Sequence, residues 1–349
     1  MKEILRRHSF SLTFVLVLFS FVFLFGSDDS EIESLTGYTM GTTFEVQLVG
    51  IPASITRERL AEEISSLLAK LDREIFSTYA PDSELSRFNR HSVGAPFIAS
   101  AELVEVLAMA KEVSQLSQGA FDVTVGPLVN LWGFGPEISL QSESVPSQTE
   151  IDQRLQNIGY QHLLIDQRGF QIHKTRDISI DLSAIAKGYA VDLLADYLDE
   201  LGAQNYFLEI GGELKIKGLK PGGVSWVPAI EAPVDTPSQV YEIFYSQGES
   251  IAVAGSGDYR NYFEEDGVRY SHEIDPRTGK PITHNLAAVY VIDDSAAQAD
   301  ALATAYMVLG LDAAKELAEA NEQAAYFIYK SEQGFAEYVT AAFSRYLSE

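Results

Sequence analysis

The residues able to do chemistry gather late in the chain. Asp300 and Thr304 stand four apart in an alanine-rich run, 297–304, that reads as a helix, so they share one face a turn apart. A carboxylate and a hydroxyl so placed suit a hard cation such as Mg²⁺, which keeps water or substrate phosphate in its other positions. The same spacing also describes a solvated aspartate beside a threonine bonded to its own helix, so the pair alone decides nothing. Upstream, Ser271-His272-Glu273-Ile274-Asp275-Pro276-Arg277-Thr278-Gly279-Lys280 ends a strand-like run in a turn fixed by its Asp-Pro and Thr-Gly pairs. His272 is placed there at a strand end, and histidine is the usual base for a hydroxyl near neutral pH.

Three further pieces can be combined with these. Residues 181–192 read as a strand-to-helix transition with Ser183 as N-cap; free amides there, with Lys187 one turn in, make an anion site. Gly211-Gly212 is a tight turn where backbone can approach a ligand, although any hairpin would explain it equally well. Gly255-Ser256-Gly257-Asp258-Tyr259-Arg260 reads as a glycine-serine loop suited to phosphate or metal, without the lysine or spacing of a P-loop. Taken together they describe a Mg²⁺-dependent site for a dinucleotide pyrophosphate, with His272 taking a proton from a nucleophile. The remaining histidines, His8, His91, His162, His173 and His284, have no partners at metal-binding spacing.

The elements that must position these groups follow from periodicity. A strand is expected over 43–49, then a helix with the stripe Leu60, Ile64, Leu67, Leu68, Leu71 and Ile75, a polar loop over 77–89, and a second helix on Leu103, Val106, Leu107, Ala110 and Val113 with Gly119 just past its end. Trp132 and Phe134 lie among glycines, where they could stack on a planar ring or simply join the core. Residues 137–148 read as an insertion loop. Hairpins are expected over 162–174 and 205–217, and further strands over 178–182, 240–245, 251–254, 267–272, 287–292, 324–329 and 335–340, with a helix over 311–320. Strands joined mostly by hairpins, with helices between them, argue for an α+β fold rather than a doubly wound parallel sheet.

Composition narrows the partners. The 349 residues hold 50 acidic and 25 basic side chains, a formal charge of −25, which repels nucleic acid and means that a phosphate substrate needs a cation brought to it. Lys2, Arg6 and Arg7 precede an apolar run over 10–25 that stops at Gly26-Ser27-Asp28-Asp29, the pattern of an export signal or membrane anchor. Residues 1–27 are therefore set apart, 28–37 are read as a linker, and 38–349 as the functional domain. With no cysteine in the chain, disulfides, thiolate metal sites and a cysteine lipid anchor are all excluded.

Met40-Gly41-Thr42-Thr43-Phe44, the 77–89 loop, Gly119 to Gly126, Asp181 to Tyr189, Glu209-Ile210-Gly211-Gly212, Ser256-Gly257-Asp258-Tyr259, Ser271 to Pro281 and Ala299 to Thr304 resemble, in order, the motif series of the ApbE family, the FAD:protein FMN transferases. The resemblance implies an extracytoplasmic enzyme, on the periplasmic side of the inner membrane, that uses FAD and Mg²⁺ to place FMN on a Thr or Ser hydroxyl of an acceptor flavoprotein subunit, releasing AMP. It implies two α/β subdomains with mainly antiparallel sheets and the active site between them. Met40, Tyr79, Ala120, Phe121, Asp122, Asp181 and Lys187 would line FAD, with Ile274 on the flavin side. Ala184 through its carbonyl, Asp300 and Thr304 would hold Mg²⁺, and His272 would assist deprotonation of the acceptor. Many family members carry a lipidated cysteine after the signal; here Leu24-Phe25-Gly26 is followed by Ser27, so either the lipidated residue has been lost or an uncleaved N-terminal helix holds the protein at the membrane. Two other readings stay open: a Mg²⁺-dependent FAD pyrophosphatase giving FMN and AMP, and a non-catalytic exported FAD-binding protein.

Overall fold

The computed structural model describes residues 31–135, 145–234, 239–259, 262–265 and 267–348. Its frame is one eight-stranded sheet whose strands lie side by side in chain order: Ile32–Thr39, Thr42–Val49, Tyr206–Ile210, Glu213–Lys217, Ile251–Gly257, Leu286–Asp293, Ala324–Ser331 and Gly334–Val339. Every neighbouring pair is antiparallel, as expected of the α+β class. Helices and small sheets enter as insertions between neighbouring strands. The largest insertion, between the second and third strands, carries the helices Arg57–Ala69, Ala101–Leu116 and Ala186–Glu200 and a three-stranded sheet of Phe97–Ile98, Gln171–Lys174 and Leu163–Asp166.

Alternation along the strands separates two cores. Val46, Leu48, Leu208, Ile210, Ala252 and Ala254 face a helical layer that includes Leu60, Leu194, Leu198, Leu302 and Tyr306. Ile216, Val253, Ile292 and Ile328 face the opposite side and pack with Trp226, Ile230, Phe244 and Phe343. Functional side chains on the first face are therefore held by the same packing that docks the helices.

Several expectations are corrected. The latter part of the supposed 28–37 linker is the edge strand Ile32–Thr39, paired residue for residue with Thr42–Val49. Its polar composition hides it, and only the partner strand reveals it. The connecting turn has positive φ at both Met40 (48°) and Gly41 (74°), the geometry that matches strand twist in a two-residue hairpin. Residues 178–182 alternate buried and less buried but form no strand. Their backbone is engaged elsewhere: the Asn89 side chain donates to Ile180 O at 2.8 Å and accepts from Ile180 N at 2.7 Å. Gly255 to Gly257 are strand rather than loop, and part of the 77–89 loop is the short helix Glu84–Asn89. The N-terminal segment and most of the 137–148 loop lie outside the described residues.

Two helices meet unusually closely. Gly188 lies on the Ala186–Glu200 helix against the start of Ala296–Leu309, where an added Cβ would sit 2.5 Å from the carbonyl carbon of Ala296 and 2.7 Å from Ala297 N. Backbone cannot step aside as a side chain can, so Gly188→Ala is expected to destabilise by about 2 kcal/mol despite the better helix propensity of alanine. Denaturant unfolding measures this directly, and an unchanged midpoint would show that the helices can separate freely.

Glu209 pairs in register with Glu45 on the sheet face away from the helices. Burial pushes its carboxyl up to about 7; the Gly212 amide, donating to it at 2.6 Å, opposes this, and the Glu45 charge adds to it. A raised folded-state pKa means that the folded chain holds a proton the unfolded chain has lost. Stability from this site is therefore full below about 4.5 and declines as pH rises to about 7. Glu209→Gln should flatten that decline, so that at pH 8 the variant melts above the parent. Parallel melting curves with pH would rule the effect out.

Candidate active site

The site is built where the sheet's helical face meets the N-terminal ends of the two close helices. Glu213 opens the fourth strand directly after the Gly211-Gly212 turn, and alternation turns it toward the helices, opposite Leu214 and Ile216. Lys187 comes from the first turn of Ala186–Glu200 and Asp300 from the second turn of Ala296–Leu309. The Lys187 ammonium lies 3.2 Å from Glu213 Oε1, 3.9 Å from Asp300 Oδ2 and 3.5 Å from the carbonyl of Ser183.

The helix start differs from the expectation. Ser183 is not its N-cap: the helix begins at Ala186, and the Ser183 amide instead donates to Asp181 Oδ1 at 2.8 Å. The amide of Gly188 donates to Asp300 Oδ2 at 3.2 Å, so a carboxylate of the neighbouring helix takes the place of a local cap. The exchange is mutual. Asp192 of the first helix accepts from Ser295 Oγ at 2.7 Å and from the amides of Ala296 and Ala297 at 2.8 and 3.0 Å, closing the start of the second. Asp192 was not singled out from sequence; its position one turn past Lys187 on an acidic helix face looks like ordinary solvation.

Charge in the cleft is unbalanced. Burial raises the Asp300 and Glu213 carboxyls; the Lys187 ammonium opposes the rise, and for Glu213 the Asp300 charge adds to it. Burial would lower Lys187, but the charges of Asp300 and Glu213 outweigh it and hold the amine above the ordinary lysine range. With both carboxyls ionised, two carboxylates would face one ammonium in a buried place, an arrangement that a bound cation would relieve. Glu213 Oε2, moreover, is buried with no partner among the described residues.

Around this centre most of the expected residues are brought together. Thr304 is one turn beyond Asp300 and half-buried, and Ala184 lies in the turn between Ser183 and the helix start, packed on the main core. A Cβ on Gly211 would lie 2.7 Å from Thr42 Cγ2 and 3.3 Å from Lys187 Cδ, which puts Thr42, the residue after the Met40-Gly41 corner, and the lysine against the same glycine. Asp181 N donates to Val123 O at 2.7 Å and so joins the 120–124 loop to the same turn. That loop also abuts the Ser271–Pro281 turn, since a Cβ on Gly119 would meet Arg277 Cγ at 3.9 Å. His272 Nε2 lies 3.6 Å from Glu273 Oε1, which accepts from Ser256 Oγ at 3.0 Å, and the edge of Phe134 packs against the imidazole. The Glu273 charge adds slightly to those that hold Lys187 protonated.

Other residues are placed differently. Asp122 clamps its loop to a distant segment, its Oδ1 taking Thr124 N and Oγ1 at 2.8 and 2.7 Å and its Oδ2 taking Tyr160 N at 2.8 Å. Ala120, Phe121 and Ile274 turn their side chains into the core, so they can offer a ligand only backbone. Trp132 is core as well: it is stacked on Tyr270, and its indole donates to Gly279 O at 2.8 Å. Tyr79 is 74% exposed. Asp258 is engaged by Lys330 at 2.7 Å rather than offered to phosphate.

Among the described residues no three His, Asp or Glu side chains form a complete metal cage. A cation here would rest on one carboxylate, a carbonyl and a hydroxyl, leaving positions for water and phosphate, and that donor set suits Mg²⁺ better than a transition metal.

Fold and site together define an enzyme class built on an antiparallel α+β frame, with a buried cleft that joins one lysine to two carboxyls. A sequence model described as the ApbE family matches residues 40–328. A relative from Vibrio cholerae, named FAD:protein FMN transferase, is 45% identical over 316 residues, spanning 90% of this chain and 92% of its own. The solved structure titled flavin transferase ApbE from Vibrio cholerae superimposes with a TM-score of 0.83 at 43% identity, covering 91% of this chain and all of that one. The Pseudomonas stutzeri flavinyl transferase ApbE, in its apo form, gives a TM-score of 0.83 at 42% identity over 93% of this chain and 99% of its own. The chain belongs to the ApbE family.

Proposed function

We propose that this protein transfers the FMN half of FAD to a Thr or Ser hydroxyl of an acceptor protein and releases AMP. The observation that carries this reading is the Lys187–Asp300–Glu213 cluster, a buried cleft short of positive charge, in a chain of the ApbE family. Asp300, Thr304 and the Ala184 carbonyl would hold Mg²⁺, which when bound supplies positive charge to the pyrophosphate oxygens. Lys187 adds a second positive charge on the same side, and the Gly211-Gly212 turn lets backbone approach the phosphates. Met40 and the backbone of 120–122 would receive the rest of the dinucleotide, with Tyr79 closing over it from its exposed loop. His272, oriented by Phe134 and Glu273, takes the proton of the incoming hydroxyl. Atoms balance: the hydroxyl oxygen bonds to the FMN phosphorus, and the phosphoanhydride bond to AMP breaks.

The reading is tested by incubating the protein with FAD, Mg²⁺ and a candidate flavoprotein subunit and weighing the subunit. A covalent FMN adduct with AMP in solution is expected. AMP with free FMN and an unchanged subunit would make the protein a pyrophosphatase instead. We place the reaction outside the cytoplasm, with the 1–27 segment as exporter or anchor; its support is the basic flank, apolar run and polar exit of that segment.

A further inference from the structure

A buried carboxylate oxygen without a donor costs about 1–3 kcal/mol, so its persistence asks for an explanation. Glu213 is 3% exposed; its Oε1 meets Lys187 and, among the described residues, its Oε2 meets no protein group. The side chain lies on the helical face of the sheet, in the cluster where one ammonium touches both it and Asp300. Apolar packing cannot have been the reason to place it there, since the alternating neighbours Leu214 and Ile216 already serve the opposite core. Lys187 alone does not require it either, because Asp300 already offers that amine a buried counter-charge.

We propose that Glu213 is a positioning residue for the divalent cation: its free oxygen accepts from water in the cation's hydration shell while its other oxygen holds the Lys187 ammonium toward the substrate phosphates. Mg²⁺ gives up water reluctantly and keeps several molecules when bound, so an acceptor just outside its direct ligands orients the ion. The inference rests on the reading that Asp300, Thr304 and Ala184 hold the ion.

The test uses the full chain and Mn²⁺ alone, followed by its free-ion paramagnetic resonance signal, so that no turnover is needed. Glu213→Gln, which keeps the shape and removes the charge, is expected to weaken Mn²⁺ binding about 10- to 100-fold. Glu213→Asp, with its oxygens drawn back, should weaken it about tenfold and provides the same comparison should the amide variant not fold. Asp300→Ala serves as the reference. If it abolishes Mn²⁺ binding while both Glu213 variants bind within twofold of the parent, Glu213 serves Lys187 only and this inference is overturned. If Asp300→Ala itself binds as the parent does, the cation reading fails at its root.

Discussion

Asp300→Ala is expected to lower Mg²⁺-dependent FMN transfer by on the order of 10³-fold or more, since a bound cation supplies several kcal/mol of charge stabilisation and each 1.4 kcal/mol is tenfold in rate. The fold should survive. Lys187 keeps Glu213 at 3.2 Å, so no buried charge is stranded, and the chief loss is the acceptor for the buried Gly188 amide, costing about 1–3 kcal/mol. AMP release against Mg²⁺ concentration, with a melting curve on the same sample, separates the two effects. Turnover close to the parent rate would remove Asp300 from the cation site.

His272→Ala should lower transfer by about 10²- to 10⁴-fold, the usual worth of a placed general base, with FAD affinity little changed. The asymmetry follows from position. His272 stands on the rim with Phe134 and Glu273, outside the Lys187–Asp300–Glu213 group proposed to grip the phosphates. Single-turnover transfer to the acceptor and quenching of flavin fluorescence read the two properties independently. A variant that transfers at the parent rate would show that the acceptor loses its proton elsewhere, and one that fails to bind FAD would make His272 a ligand contact rather than a base.

Much of this was legible in advance for identifiable reasons. Strong alternation and tight turns gave away the 205–217 hairpin, and the alanine-rich helix with Asp300 and Thr304 on one face emerged from spacing alone. The ordered motif series placed the chain in its family, and the family match over 40–328 agrees with that. What stayed hidden depends on contacts between distant segments. Glu213 looks like any polar residue opening a strand until the helices cover it. Asp192 matters only because the start of a helix about a hundred residues later needs acceptors. The pseudo-strand over 178–182 shows the converse, since burial alternates there while an asparagine side chain, not a neighbouring strand, satisfies the backbone. The bonds by which Asp122 fastens Thr124 to Tyr160 are likewise invisible in the sequence, since they join segments far apart in the chain.

The mutual use of Asp192 and Asp300 gives the two helices the character of an interlock: neither start is complete while the other is absent, and Gly188 lets them seat backbone to backbone. A half-assembled chain would therefore have no cleft with which to capture a stray metal ion or dinucleotide. Competence should arrive in a single step, late, and together with the body of the molecule.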